Sequence, residues 1–599
     1  MSKSLITTFL GVFICLSSLF AQQLPKTLLW RISGNGVQKP SYLYGTMHVY
    51  DPRLFDLGDS LLYAISSSEG FANELDLTRI TPMLVDLVNQ EINKSLTLKE
   101  MLGSKAYEKY GPGLSKRFNK PADEITSLDI LREKNKWIDE GYKGKKMQTF
   151  LDAYLSDLAY RQGKWIGGVE DFSDQSGLLT AGIDESDIRQ LVLDDNASGK
   201  AEMENMVTTY QNNDLDGFQK MITGMDSNSR DMMLTRRNRK MAFRMDSLAR
   251  QRTMVFAVGA AHLPGNEGLI SLLRKKGYAV DPVFSSKKIK PKDYFVPEVN
   301  RPWVEVNDPD GHYTVQMPGT PGDIKLYGIM TMAMYFNIFN GTWYLTASAN
   351  LPYDQKGLDS VEKTMLKQLF GSLNYKEESH LDINGIPGKS YVQKNADGYK
   401  KAYLLNKDNE FYYAVAFSAS DTITALNSVD KFFRSFQPIP ASKDLQTSRY
   451  EFIDSVGAYQ VILPVKPKPM DGMPKTSNQS VKSELKISTD PQTGTYYFIG
   501  STECVRGYAF QNDSATLRSV HDNLLEKFQD ITKDTSYILN DHRRLDIDGS
   551  MLNGSMRAKM KVIARGNRYH TLLIMYGPGK WNETAEMVLS SFQLRKYSF

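Results

Sequence analysis

Two histidines stand at the ends of short apolar segments in the first half of the chain. Residues 41–50 read SYLYGTMHVY and residues 254–262 read MVFAVGAAH, so His48 and His262 each close a Gly-x-x-His motif. The chain has seven histidines, and these are the two that precede residue 300. A single Gly-x-x-His is a weak signal. Two copies that hold every histidine of a 300-residue region indicate a shared site.

Imidazole and carboxylate groups together can bind a transition metal, share acid–base work or hydrogen-bond in a core. Two histidines with one or two carboxylates are a common set for zinc, manganese, iron or cobalt. Glycine before each histidine would let the backbone turn sharply, so that His48 and His262 point back over the strand end. The structural alternative is that both histidines cap helices or fill a core.

Carboxylates and a basic cluster accompany the two motifs. Glu74 ends the predicted strand EGFANEL and Glu170 ends WIGGVE, where each could face a ligand, line the surface or start a helix. Arg237 and Asn238 lie in RRNRK on a predicted long helix. That run is either a solvated face or an anchor for a substrate carboxylate or phosphate. The sequence lacks HExxH, GxSxG and Walker-type phosphate motifs, which excludes those enzyme classes.

The elements that carry these residues alternate between strand and helix. Strands are predicted at 28–32, 41–44, 69–75, 165–169, 254–259 and 279–283, and apolar spacing predicts a helix over Met147–Gln162. This alternation indicates an α/β layer with a mostly parallel or mixed sheet. His48, Glu74, Glu170 and His262 then lie at, or just past, the carboxyl ends of strands. Ligands bind at that edge in open α/β sheets.

The second half of the chain has a different sequence pattern. A Pro- and Lys-rich linker is predicted at 287–302, after a first domain at 22–286. GHYTVQMPGTP at 311–321 is similar to GAYQVILPVKP at 457–467, and LDING and LDIDG recur in the same order. We therefore predict two tandem α+β modules with antiparallel sheets, at 303–440 and 441–599. No chemistry is apparent in them, and a protein partner is one expected role.

The first 21 residues have the composition of a cleaved signal peptide, with Lys3 before an apolar run. A membrane anchor is the alternative, but the run is short for one and lacks a charged stop. Cys15 follows Ile14, which does not suit a lipoprotein. A lone Cys504 would remain in the mature chain, which excludes a disulfide-stapled fold. We expect a periplasmic or secreted protein without a transmembrane segment, and the net charge of +4 gives no indication of nucleic-acid binding.

Residues 27–285 resemble the TraB/PrgY/GumN family, whose animal relatives include the TIKI metalloproteases. The matching segments include SYLYGTMHV, NELD, GKWIGGVEDFSDQ, the RRN of the long helix and VFAVGAAHLPGNEGL. The resemblance implies a compact α/β fold with both Gly-x-x-His motifs in one cleft, and a divalent-metal-dependent hydrolase that is peptidase-like. It implies roles for six positions that match the family's motifs: His48, His262, Glu74, Glu170, Gln175 and Asn238. The family often has Leu where this chain has Val169. The segment after residue 300 lies outside the resemblance.

From these observations together we predict an exported, metal-dependent hydrolase that acts on peptide or amide bonds. His48, His262 and one carboxylate, Glu74 or Glu170, would hold manganese, cobalt or zinc. The other glutamate would act as general base towards the attacking water. Arg237, Asn238 and Gln175 would bind substrate. Two alternatives stay open: a non-catalytic envelope protein that binds peptide signals, and a scaffold that acts through its C-terminal modules.

Overall fold

The computed structural model describes residues 24–290 and 302–595, with internal gaps. The gaps are 95–97, 126–128, 131–132, 134–146, 148, 175–187, 189–190, 193–196, 327–328, 354, 372–374, 396–397, 419–422, 441–448, 471–480, 505–517, 519–520, 523, 526–527 and 552–555. The predicted signal peptide and Gln175 lie outside the described residues. Within the described ranges, no helix is long and apolar enough to cross a membrane.

The first part of the chain forms a six-stranded mixed sheet. Its strands are β1 (Leu29–Gly34), β2 (Ser41–Thr46), β4 (Gly70–Asn73), β5 (Trp165–Gly168), β6 (Met254–Gly259) and β7 (Tyr278–Val283), with β3 (Leu57–Gly58) pairing β8 (Lys288–Ile289) separately. The order is β5-β4-β6-β2-β1-β7. β5, β4, β6 and β2 run parallel to one another, whereas β1 is antiparallel to β2 and β7. The predicted α/β class and the mixed sheet are confirmed.

Sequence pattern explains this arrangement. β6, MVFAVG, is a continuous apolar run, as expected for a strand buried on both faces, and nearly all residues of β2 and β6 are buried. β1 and β2 form a hairpin. Its turn passes through Gly34 and Gly36 at φ of 81° and 83°, a left-handed conformation that favours glycine. The hairpin places β2 beside β6 in the middle of the sheet.

The helices of this part of the chain lie between these strands in sequence. They are α1 (Asp59–Ser67), α2 (Ile80–Lys94), α3 (Leu98–Phe118), α4 (Leu151–Arg161), α5 (Ala197–Gln211), α6 (Leu215–Gly224), α7 (Ser227–Arg230), α8 (Arg236–Gln251) and α9 (Leu269–Lys275). The helix predicted from residue 147 begins at Leu151, after Phe150 in extended conformation. The core between sheet and helices contains Trp30, Phe71 and Phe256, each almost fully buried.

The chain divides into two compact units. The first comprises Met1–Ile80, Met101–Ile125 and Asp129–Asn300, and the second comprises Thr81–Glu100, Thr126–Leu128 and Arg301–Phe599. Most of α2 therefore groups with the second unit. The predicted domain boundaries at 286, 302 and 440 stay predictions.

The second unit contains antiparallel sheets, as predicted. A three-stranded sheet has the order β18-β10-β9, and a seven-stranded sheet has the order β11-β12-β13-β17-β16-β15-β14. The ranges are β9 (Val304–Asn307), β10 (Tyr313–Met317), β11 (Gly322–Leu326), β12 (Met330–Asn337), β13 (Thr342–Asn350), β14 (Lys376–Ile383), β15 (Ile386–Asn395), β16 (Gly398–Lys407), β17 (Glu410–Ser418) and β18 (Gln437–Pro438). Helices α10 (Gln355–Phe370) and α11 (Ile423–Ser435) accompany them.

The same strand order recurs further along the chain. A three-stranded sheet has the order β19-β20-β28, and a seven-stranded sheet has the order β21-β22-β23-β27-β26-β25-β24. The ranges are β19 (Tyr450–Asp454), β20 (Tyr459–Leu463), β21 (Lys468–Pro469), β22 (Val481–Thr489), β23 (Tyr496–Cys504), β24 (Gln529–Leu539), β25 (His542–Met551), β26 (Met556–Arg565), β27 (Arg568–Tyr576) and β28 (Gln593–Leu594), with α12 at Glu583–Ser591. This recurrence supports the prediction of two tandem modules.

Helix α2 covers an edge of the first seven-stranded sheet within the second unit. The Asn89 side chain donates to the carbonyl of Asp323 (2.7 Å) and accepts from the amide of Lys325 (3.3 Å), both in edge strand β11. Val85 packs against Ile324 and Met334. The helix thus satisfies backbone groups that an open sheet edge would leave for another chain.

Candidate functional site

Four parallel strands end at one edge of the first sheet, and each leads to a predicted site residue. His48 follows β2, Glu74 follows β4, Glu170 follows β5 and His262 follows β6, each within three residues of the strand end. Parallel strands present their carboxyl ends on the same side, which is why these side chains meet. His48 and His262 both approach Glu74, and the carboxylate of Glu170 is joined to that of Glu74 through Arg237.

Glu74 is the centre of this cluster. Its Oε1 lies 3.5 Å from Nε2 of His48 and 3.6 Å from Nε2 of His262, and accepts the backbone N–H of Gly259 at 2.8 Å. Its Oε2 accepts from Nη2 of Arg237 at 2.5 Å. The side chain is 5% exposed. A buried carboxylate with this many donors stays ionised.

The ring of His48 is oriented by a carboxylate that the sequence prediction missed. Nδ1 of His48 lies 2.8 Å from Oδ2 of Asp152, and Oδ1 of Asp152 accepts the hydroxyl of Thr46 at 2.5 Å. A carboxylate oxygen accepts hydrogen bonds, so Nδ1 of His48 carries a proton and Nε2 faces Glu74. About half of the His48 side chain is exposed, so this face of the cluster is open to solvent.

His262 is oriented in the same way by an amide. Its Nδ1 lies 2.6 Å from Oδ1 of Asn238, whose Nδ2 donates to the carbonyl of Glu267 at 2.8 Å. The second bond fixes the amide, because nitrogen and not oxygen must face that carbonyl. Nδ1 of His262 therefore carries the proton, and Nε2 has a free lone pair towards Glu74. This ring is almost fully buried.

Arg237 bridges the two glutamates. Its Nε and Nη2 donate to the two oxygens of Glu170 at 2.9 and 2.8 Å, while Nη2 also reaches Glu74. A five-residue π-helical turn, Asp231–Thr235, precedes α8, which carries Arg237 and Asn238. Such turns often occur at functional sites, since they shift the helical register locally. The substrate-binding role predicted for Arg237 stays a prediction, and its guanidinium is here engaged by protein carboxylates.

These contacts shift the pKa values of the three central groups. Burial alone would raise the pKa of Glu74, but the two histidines and Arg237 lower it well below its usual range. Burial lowers the pKa of His262 to about 4, against the opposing charge of Glu74, so this imidazole is neutral at pH 7. Burial also opposes protonation of His48, yet Asp152 and Glu74 raise its pKa well above the usual value.

The glycines of both motifs have a different role from the one expected. Gly259 has φ of −49° and ψ of 134°, which other residues can adopt, so its backbone makes no sharp left-handed turn. A Cβ at Gly259 would lie 3.2 Å from Oε1 of Glu74 and 3.4 Å from the His262 ring. A Cβ at Gly45 would lie 3.1 Å from Cα of Ala260. Glycine is thus needed because the two motifs and Glu74 approach closely.

Asp152 could have been noticed in the sequence from its position. It lies in LDAYLSDLAYR on α4, and it is buried among Leu151, Leu155 and Ala159. An acidic residue on the buried face of an amphipathic helix needs a buried partner. The partner itself could not be read from the chain, because His48 is 104 residues away.

Known proteins are similar to the part of the chain that holds this cluster. Residues 28–282 match the model of the TraB/PrgY/gumN family. The metalloprotease TIKI2 of Danio rerio is 24% identical over 316 residues, which cover 43% of this chain and 60% of that protein. The metalloprotease TIKI1 of Danio rerio is 25% identical over 316 residues, covering 43% and 63%. The chain thus spans about three fifths of the length of these relatives.

Among solved structures, the cyanobacterial PsbP protein from Synechocystis covers 26% of this chain and 98% of its own length. The identity is 13% and the TM-score is 0.19, too low to support any structural inference. The family match covers both Gly-x-x-His motifs, Asp152, both glutamates and the Arg237–Asn238 pair. Residues 28–282, the part of the chain that holds this cluster, are thus similar to the TraB/PrgY/gumN family.

Proposed function

We propose that this chain is an exported hydrolase that depends on a divalent cation and cleaves peptide or other amide bonds. The observation that carries the proposal is the convergence of two imidazole Nε2 atoms on one oxygen of Glu74. The relatives TIKI1 and TIKI2 are metalloproteases, which supports a peptide or protein substrate.

The types of the donors, and the distances of the two imidazoles from Glu74, suit a divalent cation. Two ligands that each lie about 2.1 Å from a tetrahedral ion are about 3.4 Å apart. The distances from Glu74 Oε1 to the two Nε2 atoms, 3.5 and 3.6 Å, are close to that value. Asp152 and Asn238 hold the Nδ1 atoms, as acceptors behind metal-ligating histidines do. As the side chains stand, the described ranges contain no group of three or more His, Cys, Asp or Glu that could hold an ion.

His48, His262 and Glu74 would hold the cation, which is manganese, cobalt or zinc in this proposal. A cation bound there would polarise a scissile carbonyl and acidify water. Arg237 keeps Glu74 ionised and in place, because its guanidinium is fixed on the other side by Glu170. Both oxygens of Glu170 accept from Arg237. The general-base role expected for Glu170 would therefore need one of these bonds to open, and it stays a prediction.

Turnover of a quenched-fluorescent peptide library tests the proposal. The full chain should lose turnover in EDTA and recover it with one of manganese, cobalt or zinc. His48→Ala and His262→Ala should each abolish the recovery, whereas His380→Ala, at an exposed histidine of the second unit, should not change it. Turnover that persists in EDTA, or that survives both site substitutions, would contradict a metal-dependent hydrolase at this site. A folded chain that binds signal peptides without turnover would favour the receptor alternative.

A further inference from the structure

A cavity of about 330 Å³ opens beside His262, within the first compact unit. Its walls come from α6, from the π-helical turn before α8 and from the loop that follows the second Gly-x-x-His motif. Ligand sites in proteins range from about 300 to 1,000 Å³, so this cavity has the size for a small group or a residue of a longer ligand.

The cavity shares a wall with the cluster around Glu74. Asn238 lines it, and the same side chain accepts from Nδ1 of His262 at 2.6 Å. Ala261, the residue before His262, lines it as well. Asn238 is thus common to the cavity and the cluster, and the cavity lies next to His262 on the side of Nδ1.

The walls combine an apolar surface with a few polar groups. Ile222, Leu234 and Pro264 contribute apolar atoms. Gln219 contributes Oε1, which is buried and has no hydrogen-bond partner among the described residues. A buried acceptor without a donor is costly, and a peptide N–H would satisfy it. Apolar walls with a few convergent polar groups are typical of sites that bind organic ligands.

Arg230 gives the cavity a positive charge. It is half-buried at the end of α7 and lines the wall, and no ion pair or side-chain hydrogen bond joins it to another residue in the described part of the chain. The nearby acidic groups are engaged elsewhere. Asp226 caps α7, and Asp231 accepts from Arg236 at 2.6 Å. Guanidinium groups pair well with carboxylates, so an anionic ligand would complete this site.

Glu267, the acidic residue in the cavity wall, is also engaged. Its carboxylate lies 3.0 Å from Arg239 and 3.8 Å from Lys275, both of which are exposed. These two cations offset its charge, so it does not cancel the charge of Arg230. The charge balance of the wall thus favours an anion.

We infer that this cavity is a subsite for a substrate residue that carries a carboxylate, either an acidic side chain or a free C-terminus, with Arg230 as the group that recognises it. The identification of the ligand as a substrate rests on the proposed function, whereas the preference for a carboxylate rests on the residues that line the cavity. The subsite makes Arg230 a specificity-determining residue. It would add a second anchor for the substrate, beside the cluster around Glu74.

The test is peptide binding by the full chain in EDTA, measured by calorimetry so that neither metal nor turnover is needed. Two acetylated tripeptide amides differ in their last residue, glutamate or glutamine. Two acetylated tripeptides ending in alanine differ in their C-terminus, carboxylate or amide. One carboxylate probe should bind at least tenfold more tightly than its neutral counterpart, since a hydrogen bond to a charged group is worth about a tenfold to hundredfold change in affinity. Which pair shows the difference identifies the source of the carboxylate.

Two variants locate the effect. Arg230→Met should remove the preference and leave the neutral probes unchanged, and Gln219→Glu should weaken the carboxylate probe by placing a negative charge in the wall. Arg236→Met is the matched control, because Arg236 is 78% exposed and does not line the cavity. Equal binding of charged and neutral probes, binding unaffected by Arg230→Met, or no binding by any probe at millimolar concentration overturns the inference.

These outcomes are separate from those of the proposed function. A chain that hydrolyses peptides with metal but shows no Arg230-dependent preference would overturn the subsite and leave the hydrolase standing. A chain that binds the carboxylate probe through Arg230 but never hydrolyses peptides would do the reverse.

Discussion

Two buried histidines in different parts of the chain differ in their partners. His262, at the edge of the first sheet, and His570, in β27 of the second unit, are each at most 5% exposed, and burial lowers the pKa of each to about 4. His262 bonds to Asn238 and faces Glu74. Neither ring nitrogen of His570 has a hydrogen-bond partner among the described residues, and its ring lies 5.7 Å from that of Tyr459.

The difference shows that burial and a shifted pKa do not identify a functional histidine by themselves. What distinguishes His262 is a chain of oriented partners: an amide that fixes its tautomer, a carboxylate in front of Nε2 and Arg237 behind that carboxylate. His570 lies in β27 and packs beside the ring of Tyr459, so its role is to fill space in the core. Polar networks are costly when broken, whereas an unpartnered histidine can be replaced by an apolar ring.

The largest effect is expected at Arg237, whose guanidinium pairs with both Glu74 and Glu170. Arg237→Met would leave Glu74 and Glu170 buried without their shared guanidinium, and removing one partner of a buried ion pair costs about 3–5 kcal/mol. Urea denaturation at pH 7 should show this loss in the first unit. Arg236→Met, at the neighbouring exposed arginine, should change the free energy of unfolding by less than about 0.5 kcal/mol. Equal effects of the two substitutions would contradict the buried bridge.

The second effect concerns Asp152, which positions His48. Asp152→Asn leaves one acceptor oxygen for two donors, Thr46 and His48, so the ring is less well oriented. Loss of such a supporting group typically lowers metal affinity 10- to 100-fold. Calorimetric titration with manganese, cobalt and zinc would measure it. Asp157→Asn on the same helix, where the carboxylate pairs with Arg161, should leave the affinity unchanged.

The smallest effect is expected at His570, and it depends on pH. The folded pKa of His570 is about 4 and the usual value is 6.5, so the unfolded chain binds more protons between them. Stability from this group is full above pH 6.5 and falls by about 1.4 kcal/mol per pH unit between 6.5 and 4. His570→Phe should match wild type near pH 8 and gain about 1.4 kcal/mol over it at pH 5.5.

Scanning calorimetry of the full chain at the two pH values would test this difference. His380→Phe, at a histidine that is 83% exposed, provides the control and should follow wild type at both. Destabilisation of His570→Phe by more than about 1 kcal/mol at pH 8 would show that the His570 ring makes a stabilising hydrogen bond. That result would contradict the contrast drawn between His570 and His262.

Much of the fold and part of the site could be predicted from local sequence. The apolar runs before both Gly-x-x-His motifs are strands, and the strand ends carry His48, Glu74, Glu170 and His262 as expected. Strand ends can be read from the chain because an apolar run stops at a turn residue. That four of these strands are parallel neighbours follows from their alternation with helices.

The remaining features depend on contacts between distant residues. The pairing of His48 with Asp152 spans 104 residues, and that of Arg237 with Glu74 spans 163. RRNRK resembles a solvated helix face, and Arg236 and Arg239 are indeed exposed, while Arg237 and Asn238 turn inward. The reason for the glycines was also hidden, because a close approach between two motifs leaves no mark in the sequence.

The central claim is that His48, Glu74 and His262 hold one cation. The most direct measurement is the stoichiometry and affinity of manganese, cobalt and zinc on the full chain, with His48→Ala, His262→Ala and the control His380→Ala. We predict one equivalent of at least one of these ions in wild type and the control, and loss of that equivalent in both site variants. Binding of an equivalent that survives in either site variant, or no binding by wild type to any of the three ions, would contradict the claim.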